Sequence, residues 1–353
     1  MATLALGALL ALGGCAAPLS GPTGSASPAA ADAAQGQAAA APERLYVNPV
    51  IDRDFPDPDT LKVGDTYYLY GSNTGTELDF TNIQAARSKD LVSWEPLPDA
   101  LPSLPAWARQ EFSGSTWAPE VTASADGSTY LMYFVTRHDL QDVQCIGVAT
   151  SASPEGPFSS SSPRPLVCQV DQGGSIDHSA FVDADGARYL LWKNDGNCCG
   201  APPWIYLQPL AADGLSLQGA PARLIGADQG WEGGLVEAPT LWRQDGGYVL
   251  LYSANPTDLH YAIGYARSVT LRGPYRKPAT PLLSTSVDGA LSGPGGQDLV
   301  VAPDGSTWLL YHSWDQDQAY RALNLDALEF QRGEPAVNGN IGIPQPAPAP
   351  PPG

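Results

Sequence analysis

A repeat of about sixty residues constrains the fold of this chain more than any other feature. Five times a turn with Gly or Asp is followed by an apolar run that closes on an aromatic residue, at Tyr70, Tyr133, Trp192, Tyr252 and Tyr311. The spacings are 63, 59, 60 and 59 residues. Short aromatic-rich runs opened by Asp-Gly are typical of antiparallel strands, and a fixed period indicates a repeat architecture. One unit holds roughly four strands. The sequence predicts an all-β fold, a single five-bladed β-propeller with four-stranded blades.

A polar residue lies 13 to 15 residues before each closing aromatic, at Asp57, Glu120, Asp177, Glu237 and Gln297. Each is expected on or near the innermost strand of its blade, and the innermost strands of a propeller line its channel. Four carboxylates would then converge on one cavity. Because like charges destabilise one another, at least one carboxyl pKa should be raised. A carboxylic acid that stays protonated in this way can work as a general acid.

The charge balance limits the classes of partner. The chain has 353 residues, a net charge of −19 and only 16% charged residues, which argues against nucleic acid or an anionic membrane surface. The hydrophobic fraction of 43% is sufficient for the core of one large domain, predicted over residues 43–337. A soluble domain that acts on a neutral ligand is expected, although an acidic surface alone is often only a solvated face.

The two ends of the chain have a different composition. Residues 1–15 read as a signal peptide, because an apolar run too short to span a bilayer leads to a lipobox-like sequence ending at Cys15. Residues 16–42 read as an Ala/Pro/Gly/Ser linker and residues 338–353 as a disordered Pro-rich tail. The protein is therefore expected to be exported and held at the cell envelope by a lipid on Cys15, with no other membrane contact.

The other four cysteines leave several pairings open. Cys145 and Cys168 are plausible disulfide partners in an oxidising setting. Cys198 and Cys199 are adjacent, so they can form a vicinal disulfide, remain thiols or cross-pair with the first two. No cysteine spacing typical of a zinc site is present.

Several short motifs resemble those of glycoside hydrolase family 43, and they fall in that family's order between residues 48 and 321. They are Asn48-Pro49-Val50, Asp54-Phe55-Pro56-Asp57-Pro58-Asp59, Trp117-Ala118-Pro119-Glu120-Val121, Ser175-Ile176-Asp177-His178-Ser179, Val236-Glu237-Ala238-Pro239 and Tyr311-His312. The resemblance implies an inverting hydrolase on a five-bladed propeller.

The resemblance also implies the roles of three carboxylates. Asp57 matches the general base that activates water, Glu237 the general acid, and Asp177 the carboxylate that orients the acid and modulates its pKa. Inversion needs a base and an acid on opposite sides of the sugar, roughly 6.5–9.5 Å apart. Asp54 and Asp59 are the rivals of Asp57, and Glu232 is the rival of Glu237. Glu120 is interpreted as a structural residue that forms hydrogen bonds in the channel.

Further residues are expected to contact the sugar. Arg321 resembles the family arginine that reaches the active centre. Aromatic faces suit the apolar face of a sugar ring. The predicted substrate-binding set is Arg321, Phe55, Trp117, His178, Gln297 and Trp231. Many family members carry a histidine in the segment that here reads Gly296-Gln297, where some bind calcium. Glutamine is a poor replacement, so a structural calcium ion is kept only as the weaker alternative, and no metal ligand and no required cofactor are predicted.

The expected activity is release of α-L-arabinofuranosyl units from arabinan or arabinoxylan side chains. β-Xylosidase and endo-arabinanase are alternatives within the family, and a sugar-binding propeller without catalysis is the alternative from another class. The expected partner is a plant cell-wall oligo- or polysaccharide, and the chain is expected to act as a monomer.

Overall fold

The structure is a computed structural model that describes residues 44–76, 79–110 and 116–350. These residues belong to one compact unit, Glu43–Gly353. The predicted signal peptide and linker, residues 1–42, lie outside the described residues. Within the described part of the chain, no helix is long and apolar enough to cross a membrane.

Five antiparallel sheets follow one another along the chain, each with its strands in sequence order from the channel outwards. This confirms the predicted five-bladed β-propeller. The first blade comprises β2 (Asp59–Val63), β3 (Thr66–Gly71), β4 (Gln84–Ser88) and β5 (Glu95–Leu97). The second comprises β6 (Trp117–Ala123), β7 (Tyr130–Arg137) and β8 (Gln144–Ser151). The third comprises β9 (Ser175–Val182), β10 (Arg188–Asn194), β11 (Trp204–Pro209) and β12 (Ala222–Gly226).

The fourth and fifth blades complete the ring. The fourth comprises β13 (Val236–Gln244), β14 (Gly247–Ala254) and β15 (Ala262–Ser268), and the fifth comprises β16 (Gly295–Val301), β17 (Thr307–Trp314), β18 (Arg321–Gln331) and β19 (Glu334–Val337). Three short 3₁₀ turns lie in the loops, at Val170–Gln172, Gly196–Cys199 and Gly230–Glu232.

Two blades depart from the predicted four strands. In the second and fourth blades the outermost strand is reduced to isolated bridges, Ile146 with Val167 and Thr150 with Ser159, then Ile263 with Leu283 and Arg267 with Arg276. These outer segments are rich in proline, with four between residues 154 and 165 and three between residues 274 and 281. Proline has no N–H to donate to a ladder, so a regular edge strand does not form there.

Each blade has one residue in the left-handed region near the start of its innermost strand, either within the first three residues of the strand or, in the first blade, two residues before it. These residues are Asp57, Ala118, Asp177, Ala238 and Gly296, with φ between 45° and 56°. The register of the inner strand shifts at the same place in the second to fifth blades. A β-bulge re-aims the side chains around it. The left-handed residue therefore recurs in all five blades, and in the second to fifth it coincides with a bulge in the innermost strand.

Apolar clusters fill the space between neighbouring blades. Each closing aromatic is buried in one of them: Tyr70 between the first two blades, Tyr133 and Trp192 between the second and third, Tyr252 between the third and fourth, and Tyr311 between the last two. A further cluster joins the fifth blade to the first. The repeat that marks the sequence is thus the repeat of the inter-blade core.

The ring closes without exchanging a strand between its first and last blades. Backbone N–H groups of Val50 and Phe55 donate to carbonyls of the fifth blade at 2.8 and 2.9 Å. The buried side chain of Asn48 both donates to and accepts from the backbone of Leu325, at 2.9 Å each way. These contacts hold the segment that leads into Asp57.

The prediction of a disordered tail from residue 338 is wrong for part of that segment. β20 (Gln345–Pro346) pairs with β1 (Leu45–Tyr46), and Ala347 packs on the cluster between the fifth and first blades. Pro346 has no N–H to donate, so this pairing depends on backbone N–H donors of other residues. Of the cysteine pairings that the sequence leaves open, the structure has the disulfide between Cys145 and Cys168, while Cys198 and Cys199 are free and exposed.

Candidate active site

A narrow cavity of about 40 Å³ lies on the channel axis. Each of the five blades contributes three consecutive residues to its lining, the left-handed residue and the two that follow it. Among the predicted site residues, the lining includes Asp57, Asp177, His178 and Gln297. The structure therefore brings residues from distant parts of the sequence to one point, as the repeat predicted.

Asp57 is held by three polar partners. The hydroxyl of Ser72 donates to Asp57 Oδ2 at 2.5 Å, while Nη1 of Arg321 lies 3.5 Å from Oδ1 and Nδ1 of His312 lies 3.4 Å from it. Burial alone would raise the pKa of Asp57, but the charge of Arg321 and the hydrogen bond from the Ser72 hydroxyl together hold that pKa below its usual value. Asp57 is thus a carboxylate at neutral pH, and about a quarter of its side chain is exposed.

His312 fixes the backbone of Asp57. The Asp57 N–H donates to Nδ1 at 3.1 Å, so the imidazole is an acceptor at that nitrogen. Burial and the nearby Arg321 charge lower the pKa of His312 to about 3, which keeps the ring neutral. The ring stacks on Tyr261 with centroids 5.8 Å apart. A Cβ on Gly296 would lie 2.5 Å from the His312 ring, so this approach requires glycine.

The carboxyls of Asp177 and Glu237 are neighbours that interact electrostatically. The N–H of Ala238, next to Glu237, donates to Asp177 Oδ2 at 3.2 Å. Burial and the negative charge of Glu237 raise the pKa of Asp177 well above its usual value, against the opposing charge of Lys193. Asp177 therefore retains a proton at a pH where isolated carboxyls are ionised. One carboxyl that stays ionised and another that stays protonated are the two functions that acid–base catalysis needs.

Lys193 is a site residue that the sequence reasoning missed. Its side chain is fully buried, and Nζ lies 2.7 Å from Glu237 Oε2 and 3.8 Å from Asp195 Oδ1. It follows the closing aromatic of the third repeat, just as His312 follows that of the fifth and Ser253 that of the fourth. All three reach towards the inner strand of the next blade in the ring. This position after the aromatic is the signal that would have found Lys193.

The rival carboxylates occupy other places. Asp59, Glu120 and Asp298 lie two residues beyond the left-handed position of their blades and form a second group in the channel, in which Asp59 is buried and the other two are part-buried. Burial, followed by the charge of a neighbouring carboxyl, raises the pKa of Asp59 and of Glu120 well above the usual values. Burial raises the pKa of Asp298 to about 7. This group, the channel acid cluster (Asp59, Glu120, Asp298), includes the residue expected to be structural.

Glu232, the rival of Glu237, is fully buried outside the channel. It accepts hydrogen bonds from the backbone N–H groups of Asp228 and Gln229 and from the hydroxyl of Tyr252 at 2.7–2.8 Å, and it pairs with Lys277 at 2.7 Å. Its contacts hold the loop that leads into Glu237. Asp54, the other rival, accepts from Thr74 at 3.4 Å.

The predicted substrate-binding residues do not all lie together. Arg321 reaches Asp57, and both His178 and Gln297 line the central cavity. Phe55 is fully buried in the cluster between the fifth and first blades. Trp117 packs against the cluster of the second and third blades, and Trp231 stacks on Tyr252 with centroids 6.0 Å apart.

The residues at the position of the family's calcium-associated histidine do not fit that ion. Gln297 Oε1 accepts from the Ser253 hydroxyl at 2.9 Å, and Nε2 donates to the Ala238 carbonyl at 2.6 Å. Both ends of the amide are therefore engaged. Within the ranges that the structure describes, no three His, Cys, Asp or Glu side chains are grouped so as to hold a metal ion.

Comparison with known proteins agrees with this geometry. The profile of Glycosyl hydrolases family 43 matches residues 46–334. The chain is 30% identical over 278 residues to a xylan 1,3-beta-xylosidase from a Vibrio species, and 28% identical over 308 residues to alpha-L-arabinofuranosidase 43 from Humicola insolens. Those alignments cover 75% and 82% of this chain but 49% and 60% of the relatives. The chain thus spans about half the length of the first of these enzymes.

A solved structure of a thermostable family-43 glycoside hydrolase is 31% identical, with a TM-score of 0.74 over 86% of this chain and 99% of that chain. The family profile covers most of the residues that form the propeller, including every motif around the central cavity. The protein therefore belongs to glycosyl hydrolase family 43.

Proposed function

We propose that this chain is an inverting glycosidase that releases α-L-arabinofuranosyl units from arabinan or arabinoxylan side chains. The proposal rests on one observation: Asp57, whose pKa is lowered, lines the same cavity as Asp177, whose pKa is raised and whose carboxyl accepts from the backbone N–H next to Glu237. This division of ionised and protonated carboxyls is what an inverting hydrolase requires.

The reaction takes one step. Asp57 accepts a proton from a water molecule, whose oxygen attacks the anomeric carbon. Glu237 donates its proton to the glycosidic oxygen as the carbon–oxygen bond breaks. Asp177 stabilises the arrangement through the Ala238 N–H, which fixes the backbone next to the acid. Ser72 and Arg321 keep Asp57 ionised, and His312 holds the Asp57 backbone in place.

The preference for arabinose rests on the general likeness of the Cys198-Cys199 and Gly296-Gln297 segments to arabinose-releasing members of the family. A relative named as an α-L-arabinofuranosidase is consistent with it. β-Xylosidase activity is the second candidate, because another relative, 30% identical, is named as a xylosidase. In either case the substrate is a neutral plant cell-wall saccharide, which suits a protein with a net charge of −19.

The test is turnover of two aryl glycosides, the 4-nitrophenyl α-L-arabinofuranoside and β-D-xyloside, by the wild type and by Glu237→Gln. Faster hydrolysis of the arabinofuranoside, lost in the variant, supports the proposal. Faster hydrolysis of the xyloside transfers it to the second candidate. Proton NMR of the first product gives the stereochemistry: an anomer of the same configuration as the substrate contradicts inversion. No turnover of either glycoside or of linear arabinan contradicts catalysis.

A further inference from the structure

Lys193 is a buried charged residue for which the reaction above has no role. Its side chain has no solvent exposure, although a lysine is almost never fully buried without a partner. Its ammonium lies between two carboxylates, 2.7 Å from Glu237 Oε2 and 3.8 Å from Asp195 Oδ1. Because a buried charge is costly, a position of this kind needs a specific compensation.

The charge balance around the ammonium is negative. Three carboxyls, those of Asp177, Asp195 and Glu237, surround the one lysine. If all three were ionised, their negative charge would exceed the charge of Lys193 by two in a buried place. The wider set of charged and titratable groups that interact with the ammonium or with these carboxyls is Asp57, Arg137, Asp177, Asp195, Cys198, Glu237 and Tyr261. Burial also raises the pKa of Asp195, in the same direction as that of Asp177. The cluster therefore contains at least one proton at neutral pH.

Asp195 is held in place by its backbone. Its N–H donates to the carbonyl of Gly174 at 3.1 Å, and it directly precedes the 3₁₀ turn Gly196–Cys199. A Cβ on Gly173 would lie 2.4 Å from the Asp195 carbonyl and 2.6 Å from Cys199 Sγ, so the two segments are in close contact. The ammonium is thus bounded on one side by a fixed loop and on the other by the acid.

We propose that Lys193 is the positioning residue of the general acid: by binding Glu237 Oε2, it directs the transferable proton to Oε1 and stabilises the carboxylate that remains after proton donation. This inference rests on the proposed role of Glu237. An oxygen that accepts a hydrogen bond from an ammonium is a poor site for a proton, so the proton occupies the other oxygen.

The effect is larger in the transition state than in the ground state. In the proposed reaction Glu237 carries the proton before it donates it, and at that stage its interaction with the ammonium is that of an ion with a dipole. As the glycosidic oxygen takes the proton, Glu237 gains a full negative charge and the interaction becomes an ion pair in a buried setting. Only an interaction that strengthens in this way accelerates the chemical step.

The experiment compares leaving groups. Lys193→Met removes the charge and keeps the length of the side chain. We expect kcat on an alkyl or oligosaccharide substrate to fall about 10²-fold, at the lower end of the contribution of general acid catalysis. With a 2,4-dinitrophenyl glycoside the loss should be less than about threefold, because that leaving group departs without a proton. The alkaline limb of the pH profile should move to higher pH, since removal of a positive charge favours the protonated acid.

Lys193→Gln and Lys277→Met are the controls. The glutamine restores a hydrogen-bond donor without a charge, so partial recovery of kcat with the same shifted pH profile would separate the charge from the hydrogen bond. Lys277 forms an equally short buried ion pair, 2.7 Å from Glu232, outside the channel. Its substitution should lower stability without changing the ratio of rates on the two leaving groups.

Glu237→Gln separates this inference from the proposed function. If it shows no dependence on the leaving group, Glu237 is not the acid and the proposed function fails. If it shows the dependence and Lys193→Met does not, the proposed function stands and the role of Lys193 is wrong. An equal loss on both leaving groups in Lys193→Met, with an unchanged pH profile, would mean that the lysine only supports the fold.

Discussion

At the scale of single residues, Ser72 offers a direct test of how Asp57 is kept ionised. Its hydroxyl accepts a hydrogen bond from the Ala118 N–H at 2.8 Å and donates one to Asp57 at 2.5 Å. Because this donor lowers the pKa of Asp57, Ser72→Ala should raise it. The acidic limb of kcat/KM then moves to higher pH, by up to about one unit. Measured profiles between pH 3 and 8 check this, and a limb that moves to lower pH would contradict it.

Asp57 itself should be replaceable only at a large cost in rate. Asp57→Asn keeps the shape of the side chain and removes the base, so kcat/KM should fall by about 10²–10⁴-fold. Azide, which needs no base, should restore part of the rate and yield a glycosyl azide of inverted configuration. A glycosyl azide with the configuration of the substrate would point to a covalent intermediate and refute the assigned role.

The residues that sequence reasoning found and those that it missed differ in their partners. Asp57, Asp177 and Glu237 lie in short recognisable motifs, and each stands near the start of a repeat. Lys193 and Ser72 lie at the end of strands, where the aromatic pattern indicates core. Their role depends on which blade stands next in the ring and on the side-chain direction there. A single blade contains no information of that kind.

At the scale of elements, the bulge decides which carboxylates meet. The spacing to the closing aromatic placed Glu120 in register with Asp57 and Asp177, but the structure aligns those aspartates with Ala118. Glu120 is therefore two residues deeper, level with Asp59 and Asp298. An extra residue in a strand changes the distance to the aromatic without a clear sequence signal, because its left-handed position is occupied by Ala, Asp or Gly. The blades could be predicted from the sequence, while this layering could not.

Gly296 gives a prediction for the bulge of the fifth blade. Its φ is +56°, and a Cβ would lie 2.5 Å from His312 and 2.9 Å from Asp57 Oδ1. Gly296→Ala should therefore lower the free energy of unfolding by about 1–3 kcal/mol and reduce kcat at least tenfold, because His312 and Asp57 must move. Urea denaturation and steady-state kinetics measure the two effects.

The matched control for Gly296 is Gly305, in the Asp-Gly turn of the same blade. Its φ is +86° and nothing lies within 4 Å of a built Cβ. Gly305→Ala should therefore show the cost of backbone strain alone, with kcat unchanged. If the two variants lose the same activity, the close approach to His312 is not what Gly296 provides.

At the scale of the whole molecule, the channel axis joins blades that are distant in sequence. The Thr60 N–H of the first blade donates to Asp298 Oδ2 of the fifth at 2.9 Å, and the Val121 N–H of the second donates to Asp59 Oδ2 of the first at 2.8 Å. Buried carboxyls thus link three blades around the axis. Sequence reasoning predicted a cavity with raised carboxyl pKa values but placed them all in one layer.

The channel acid cluster should make the protein less stable as the pH rises. The pKa of Asp298 in the folded state is about 7, above its ordinary value of 3.8, so the folded state binds more protons than the unfolded state between these values. Stability therefore falls as the pH rises through this window, by roughly 1.4 kcal/mol for each unit by which a pKa is raised. Asp298→Asn, which resembles the protonated form, should reduce this slope.

Urea denaturation at pH 5 and pH 8 measures the slope, and the difference between wild type and Asp298→Asn isolates this carboxyl. Asp304→Asn is the control in the same blade. The hydrogen bonds of Ser306 outweigh the effect of burial and lower the pKa of Asp304, so this residue is ionised throughout the window and its loss should leave the slope unchanged. An Asp298→Asn protein that loses as much stability between pH 5 and pH 8 as the wild type would show that Asp298 does not hold a proton in the folded state, and that the other carboxyls with raised pKa values carry the proton linkage.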